Sequence, residues 1–403
     1  MLSTSSRALL LLLLTPLIPR FVAAQRPISR SDAIESALKH GSRLPLAVAD
    51  TAIARAGILG ARALQNPALS AAYSKSPPEL HFIAELPFDL PGIRRARIAS
   101  ATSALGAARL LVTYERAAAA LDADTTYTRA QAAEARARLS AHNAIVADTL
   151  LMMAVARRDA GDVSDLEVEL ARVNAGQEHN LAIADSVELS GQLIDLQVAM
   201  GILSSELTVK PADTLRLPSK EELPAPLGTP LQLAAGLASV TAAERNLTAE
   251  RRSIFGSPAL MAGVETRDPG GTGNKLLPTF GITLPIPLLN RNRPGIALAS
   301  AELYRARAAL LATQLDYSAT VSRMERLRQS AYSRATRDAS LLTSANRVAA
   351  MSVVAYRAGA FPLSNVLEAQ RTARDILRQY VDDVADVWIA TAALRVLTLT
   401  AGR

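Results

Sequence analysis

The residues that could do chemistry are few and poorly placed for it. The four histidines, His40, His81, His142 and His179, are scattered, with no pair at helical i, i+4 spacing to grip a metal. There is no cysteine, which removes disulfides, thiolate metal sites, a cysteine nucleophile and a lipidated anchor at once. Neither a G-x-S-x-G elbow nor a P-loop is present. Met152 and Met153 are adjacent, so they point to different helix faces and read as packing rather than a copper site. No catalytic residue, metal site or cofactor is expected. What remains is charge beside a glycine turn: Asp159, Asp162 and Asp165 around Gly161. Carboxylates gathered in one place attract cations, although Asp162 would serve equally well as a helix cap.

The elements that position this turn are written twice. Leu86-Pro-Phe-Asp-Leu-Pro-Gly-Ile-Arg-Arg-Ala-Arg97 and Leu284-Pro-Ile-Pro-Leu-Leu-Asn-Arg-Asn-Arg-Pro-Gly295 superpose at an offset of 198 residues. The same offset lays Gly161 on Gly359 and Val168 on Val366. Self-similarity of this kind constrains the fold first. It predicts a first repeat over 25–203, a Pro-rich linker over 204–230 and a second repeat over 231–403. Each repeat reads as helix, β-hairpin, long helix and return helix. The first begins with Ser31 as N-cap and runs to residue 63 with an interruption at Pro45. The long helices, 93–160 and 296–358, span roughly 95–100 Å at 1.5 Å per residue. Gly161 and Gly359 end them as C-cap glycines. The returns, 163–200 and 361–400, are too short to match them. The helix before each hairpin makes up the difference, so the two short helices stack end to end.

The hairpins alternate with period two. Leu69 and Tyr73, then Leu80, Phe82, Leu86 and Phe88, share a face in the first repeat. Leu260 and Val264, then Phe280, Ile282, Leu284 and Ile286, do so in the second. Two in-phase hairpins in an otherwise helical chain point to transmembrane β-strands with these residues toward lipid. A half-buried strand of a soluble sheet alternates in the same way. Four strands cannot close a barrel, and an open edge in lipid leaves backbone groups unsatisfied, so several chains must share one barrel. The connection at 267–275 suits an external loop. Arg94, Arg95 and Arg97, with Arg291 and Arg293, sit just beyond the strands and read as contacts to lipid phosphate or as ordinary helix-start charge.

The N-terminus carries the three parts of a secretory signal peptide over 1–24: Arg7, an apolar core and Val22-Ala23-Ala24 before the cleavage site. No later apolar run of about 18 residues is evident, so no transmembrane helix is expected. The net charge is +7, but basic and acidic residues are interspersed as on solvated helix faces, which argues against nucleic acid as a partner.

With these features the chain resembles the outer membrane factor family, the TolC-like efflux channels, and within it the CzcC-type heavy-metal efflux branch. The motifs at 86–97 and 284–293 carry the likeness, with Tyr356-Arg-Ala-Gly-Ala-Phe-Pro-Leu-Ser-Asn-Val-Leu-Glu-Ala-Gln-Arg371 resembling the family's second helical tip. The resemblance implies a mainly α fold. A long α-helical barrel of coiled-coil-like helix pairs joins four transmembrane strands per chain, shared by a homotrimer as a 12-stranded β-barrel. It implies a passive conduit in the outer membrane of a Gram-negative-type bacterium, with most of its mass in the periplasm. The partners implied are outer-membrane lipid, a periplasmic adaptor (membrane fusion protein) and an inner-membrane pump. Carried over by position, the periplasmic constriction becomes Tyr356, Asn365 and Glu368. Adaptor contact falls at the tips, at Asp159, Gly161, Asp162, Asp165, Gly359 and Phe361. Phe361 stands where the family's pattern has a basic residue, and Asn365 where it has Asp. The plainer reading makes Tyr356 a packing residue and Glu368 a solvated one. The competing assignment for the whole chain is a non-channel periplasmic coiled-coil structural or adaptor protein.

Overall fold

A computed structural model describes residues 26–76, 78–204, 206–220, 228–266 and 276–401. The expected leader, the expected external loop and linker residues 221–227 lie outside the described residues. The elements run β1 (Arg26–Ile28), α1 (Arg30–His40), α2 (Arg43–Arg62), β2 (Ala68–Tyr73), β3 (Leu80–Pro87), α3 (Ile93–Asp159) and α4 (Asp165–Ala199). They continue as β4 (Val209–Pro211), α5 (Leu231–Arg252), β5 (Ala259–Thr266), β6 (Leu277–Thr283), α6 (Arg293–Arg357) and α7 (Leu363–Leu397).

The first helix starts earlier than the sequence suggests. Ser29, not Ser31, is its N-cap, and Asp32 completes a reciprocal capping box. The break falls at Gly41–Ser42 rather than at Pro45. Pro45 lies in the first turn of α2, where its missing N–H has no helical partner to lose.

The two long helices have 67 and 65 residues, about 100 Å each. Shorter helices support them along that length. α1, α2, α4, α5 and α7 pack on α3, and α5 and α7 pack on α6. The short helices do meet end to end. The chain after α4 abuts the α1–α2 break so closely that a Cβ at Gly201 would lie 2.2 Å from the His40 carbonyl oxygen. Gly201 also has φ +76, so this junction needs glycine twice over. At the other junction the Leu231 N–H donates to the Leu399 carbonyl at 2.8 Å. Windows in Arg30–Arg62 and Ile93–Asp159 reach a mean hydropathy of 1.4 and would cross a membrane by length and composition. The cause is alanine, which is apolar enough to score yet small enough to let helices pack closely. α3 itself is about three times the thickness of a bilayer core.

The four longer strands form one antiparallel sheet in the order β2-β3-β5-β6. Directly paired residues share a face. The register Tyr73↔Leu80, Phe82↔Val264, Leu86↔Leu260 and Leu260↔Ile282 therefore gathers the apolar set on one side, with Leu69 and Phe280. The strands stop short of the sequence expectation. Phe88 lies just past β3, and Leu284 and Ile286 lie past β6, exposed but outside the sheet. Pro285 and Pro287 carry no N–H for the ladder, which ends the pairing at Thr283.

A clasp at mid-height ties both halves together. The parallel pair β1–β4 brings the N-terminus to the linker. The Arg30 guanidinium lies 4.2 Å from the centre of the Trp388 ring and 5.3 Å from that of Tyr127, and it is ion-paired to Asp124. The buried Tyr127 hydroxyl donates to the Asp213 carboxylate at 2.9 Å, and Trp388 Nε1 donates to the Arg216 carbonyl at 2.8 Å. Burial, and then the hydrogen bond to Asp213, push the Tyr127 hydroxyl from its ordinary 10 up to about 12. The neutral hydroxyl is thus favoured in the folded chain. Its contribution is complete below pH 10 and is lost as pH rises through about 12. Tyr127→Phe is expected to cost about 1 kcal/mol at neutral pH. It should also flatten the fall of the denaturation midpoint between pH 10 and 12, read by circular dichroism against the parent chain.

Candidate functional site

The far end of the column consists of two tips built alike. At the first, the Asp162 N–H donates to the Arg157 carbonyl at 2.9 Å and the Gly161 N–H to the Arg158 carbonyl at 2.8 Å. At the second, the Ala360 N–H donates to the Ala355 carbonyl at 2.9 Å and the Gly359 N–H to the Tyr356 carbonyl at 3.0 Å. Both are Schellman turns, and both glycines are left-handed, with φ +84 and +75. Ser164, not Asp162, stands at the N-cap of α4.

The tips are joined inside the chain. Tyr356 is fully buried in an apolar cluster with Leu150, Ala154, Val168, Leu363 and Val366. The Arg157 guanidinium lies 4.8 Å from its ring centre and donates to its carbonyl at 3.2 Å. Glu167 accepts the Leu363 N–H at 3.0 Å, so a carboxylate of α4 caps the start of α7. Burial, and then the nearby Glu167 charge, hold the Tyr356 hydroxyl above its ordinary value. Asp159 and Asp165 gather round Arg158, at 2.6 and 3.8 Å. The charge and hydrogen bond of Asp159 keep that guanidinium protonated more firmly still.

Asn365 and Glu368 are exposed on α7. Glu368 lines a groove of about 620 Å³ between the α3–α4 pair and α7. Its walls are crossed by ion pairs: Arg374 to Glu178, and Arg378 to Asp185 at 2.7 Å. Phe361 is half exposed at the tip. The structure thus separates the three residues expected at a constriction: Tyr356 goes into the chain's own core, while Asn365 and Glu368 stay on its surface. Arg157, Glu167 and the arginines of α7 were not singled out, because ordinary helical charges carry no motif until their neighbours are known.

The sheet has two unlike faces. Opposite the apolar side stand Ser70, His81, Glu85, Glu265, Thr279 and Thr283. His81 Nδ1 lies 3.4 Å from Glu265 Oε1. Beneath the strands, Arg94 donates to the Arg62 carbonyl at 2.8 Å and Arg97 to the Ala61 carbonyl at 3.1 Å. These two arginines cap the last turn of α2. Among the described residues no group of three or more His, Asp or Glu could hold a metal ion.

No known family profile matches the chain. It is 24% identical over 367 residues to the cobalt-zinc-cadmium resistance protein CzcC of Cupriavidus metallidurans, covering 89% of this chain and 86% of that one. Among solved structures it is similar to the CmeC outer membrane channel of Campylobacter jejuni, with TM-score 0.77, 15% identity and 92% and 85% of the two chains covered. It is similar to CusC with TM-score 0.74, 17% identity and 92% of each chain covered. The fold is that of a TolC-like channel. The chain is thus similar in sequence to a metal-resistance protein and in fold to outer membrane channels.

Tyr356→Ala is expected to cost about 3–5 kcal/mol, the usual toll of emptying an aromatic core position. Thermal unfolding and faster hydrogen exchange in the turn at Gly359 are the measurements; Tyr356→Phe should retain most of the stability.

Proposed function

We propose that the chain is the outer-membrane channel of a tripartite efflux system, a passive conduit that exports metal cations or small toxic compounds. One observation carries the reading: a four-stranded sheet, apolar on one face and with His81, Glu85, Glu265, Thr279 and Thr283 beside Ile83, Met261 and Leu277 on the other, stands on helices of about 100 Å. An apolar outer face and a water-facing inner face are what a lipid-embedded barrel requires. The internal duplication is supported by α4 and α7, which have 35 residues each and begin 198 residues apart. Three chains of four strands would make a twelve-stranded barrel, and the helices its periplasmic tunnel.

In this reading Leu69, Tyr73, Leu80, Phe82, Leu260, Val264, Phe280 and Ile282 face lipid. The tips around Gly161 and Gly359 meet a periplasmic adaptor, which links the tunnel to an inner-membrane pump. Glu368, repeated by symmetry near the tunnel mouth, would favour cations. Likeness to a cobalt-zinc-cadmium resistance protein supports a metal cargo.

Fractionation of expressed cells followed by native mass measurement in detergent tests the proposal. An outer-membrane trimer is expected; a soluble periplasmic monomer or dimer would favour a coiled-coil structural protein instead. Phe82→Arg should abolish stable insertion, since an arginine on the lipid face at mid-membrane costs about 2–4 kcal/mol in a barrel strand, and Phe82→Asp should weaken it less. Normal trimer yield in the outer membrane would sink the lipid-facing assignment. Glu368→Ala should lower cation preference in planar-bilayer recordings, and unchanged reversal potentials would remove Glu368 from the pore.

A further inference from the structure

Four helix ends meet at the base of the sheet. The Arg94 guanidinium donates to the Arg62 carbonyl at 2.8 Å, joining the start of α3 to the end of α2. The Arg252 guanidinium donates to the Gly92 carbonyl at 3.3 Å, joining α5 to the turn before α3. Asn292 Nδ2 donates to the Glu250 carbonyl at 3.0 Å, joining α6 to α5. Gln65 Nε2 donates to the Ser257 hydroxyl at 2.8 Å, from one repeat to the other. These bonds make a collar between the strands and the long helices.

The collar is basic out of proportion to the rest of the chain. Residues 59–66, 88–98, 249–258 and 289–297 hold eight arginines, no lysine and two carboxylates, whereas the whole chain has 44 basic and 37 acidic residues. Both carboxylates already have partners: Arg97 donates to Asp89 at 2.9 Å and Asn292 to Glu250 at 2.7 Å. Arg94, Arg97 and Arg252 are used in bonds within the collar. Arg62, Arg95, Arg251, Arg291 and Arg293 are exposed and have no hydrogen-bond or ion-pair partner among the described residues. Helix electrostatics does not account for them all. The first turns of α3 and α6 contain no acidic residue, and Arg95 and Arg293 there oppose the helix dipole. Large apolar side chains stand exposed among the free guanidiniums: Leu64 beside Arg62, Phe255 after Arg251, and Leu288 and Leu289 before Arg291. Exposed apolar groups interleaved with cations, at the edge of an apolar sheet face, suit a membrane interface.

We infer that the collar is a binding surface for anionic phospholipid, with lipid phosphates against Arg62, Arg95, Arg251, Arg291 and Arg293 and acyl chains on the apolar face of the sheet. The inference rests on the proposed outer-membrane barrel and adds a lipid class and a depth, the headgroup level of the periplasm-facing leaflet. A guanidinium presents its N–H donors as a fork that matches phosphate oxygens. The positive ends of α3 and α6 favour the same anions. A recess of about 610 Å³, lined by Ala84, Leu86, Leu260, Phe280, Gly281 and Ile282, gives an acyl chain a seat. Leu86, Leu260 and Ile282 are paired across the strands near their collar end, so tail and headgroup sites adjoin. Leu64, Phe255, Leu288 and Leu289 then enter the boundary between headgroups and acyl chains instead of water. A zwitterionic lipid carries the same phosphate but cancels it with its own ammonium group, so it gains little from the collar. Arg94 and Arg97 hold helix ends together, and the remaining arginines meet lipid.

The probe is phosphatidylglycerol, titrated into the purified protein in neutral detergent and counted as bound lipid by native mass spectrometry, with phosphatidylcholine alongside. Phosphatidylglycerol should bind roughly thirtyfold more tightly than phosphatidylcholine, and less tightly as salt is raised. Inorganic phosphate at the same concentration should not compete. Arg291→Gln with Arg293→Gln should weaken phosphatidylglycerol roughly tenfold and leave phosphatidylcholine unchanged. Arg291→Lys with Arg293→Lys should keep most of the binding. Arg62→Gln with Arg251→Gln, at the other two helix ends, should repeat the loss, so the result does not depend on one loop. Equal binding of the two lipids, full competition by inorganic phosphate, or parental binding in both Gln pairs overturns the inference and leaves the barrel standing. A shifted reversal potential in a Gln pair whose lipid binding is intact also overturns it, since the guanidiniums then line the lumen. A parent chain recovered in the soluble periplasm overturns the inference and the barrel together.

Discussion

The edges of the sheet govern everything else. β2 and β6 each have one neighbour, so each presents a row of N–H and C=O groups with no strand partner among the described residues. In water such a row is solvated. In hydrocarbon each group costs several kcal/mol, and no single-chain arrangement of four strands removes both edges. A chain of this fold in the outer membrane must therefore find its missing partners in other chains. Were the sheet closed in a membrane, its apolar face would be the one to meet lipid. The two proline-containing motifs, ending β3 and following β6, fix where the strands stop and the helices begin.

Below the sheet the same dependence recurs in helical form. A helix of about 100 Å cannot be stabilised by local propensity alone and depends on continuous neighbours. The chain supplies these neighbours in two pieces per long helix. The joint between pieces is where local order is most heavily reinforced: Gly201 against His40, Arg30 between Trp388 and Tyr127, and Asp213 held by Tyr127. These contacts bring the N-terminal strand, the linker, α3 and α7 to one level. Elsewhere alanines such as Ala132, Ala154, Ala171 and Ala299 let the helices approach closely around larger side chains such as Leu150, Val366, Leu247 and Leu303.

Much of this was legible in the sequence. Repetition at 198 residues, period-two strands, helices without proline and paired tip glycines each impose a geometric requirement that few structures meet. The shared apolar face across four strands followed from alternation alone. What was not legible depended on contacts distant in sequence. Ser29 displaced Ser31 as N-cap because its oxygen and Asp32 reciprocate, a choice of two residues that either serine could have made. The strands were drawn too long because apolar alternation continues through Leu284 and Ile286 after hydrogen bonding has stopped. Tyr356 was assigned to a constriction from its place before a glycine, and the structure puts it in a core shared by four helix ends. Arg157 and Glu167 were overlooked because their partners, Tyr356 and Leu363, lie about two hundred residues away.

The two halves are alike in backbone and unlike at their seams, and that difference has a physical use. The strip of α4, α3, α7 and α6 has two edges, α4 and α6, and its two halves could meet in several registers. If every seam were apolar, these alternatives would differ little in free energy, since alanine and leucine discriminate poorly between partners. Charge separates them. The arginines of α7 find Glu178 and Asp185 at the internal seam, whereas the counterpart face of α4 offers leucine and valine. Setting the arginine-bearing face against the wrong edge would desolvate its charges without partners, which costs several kcal/mol for each buried ion. The charged positions of α7 thus favour the one register in which Arg374 meets Glu178 and Arg378 meets Asp185.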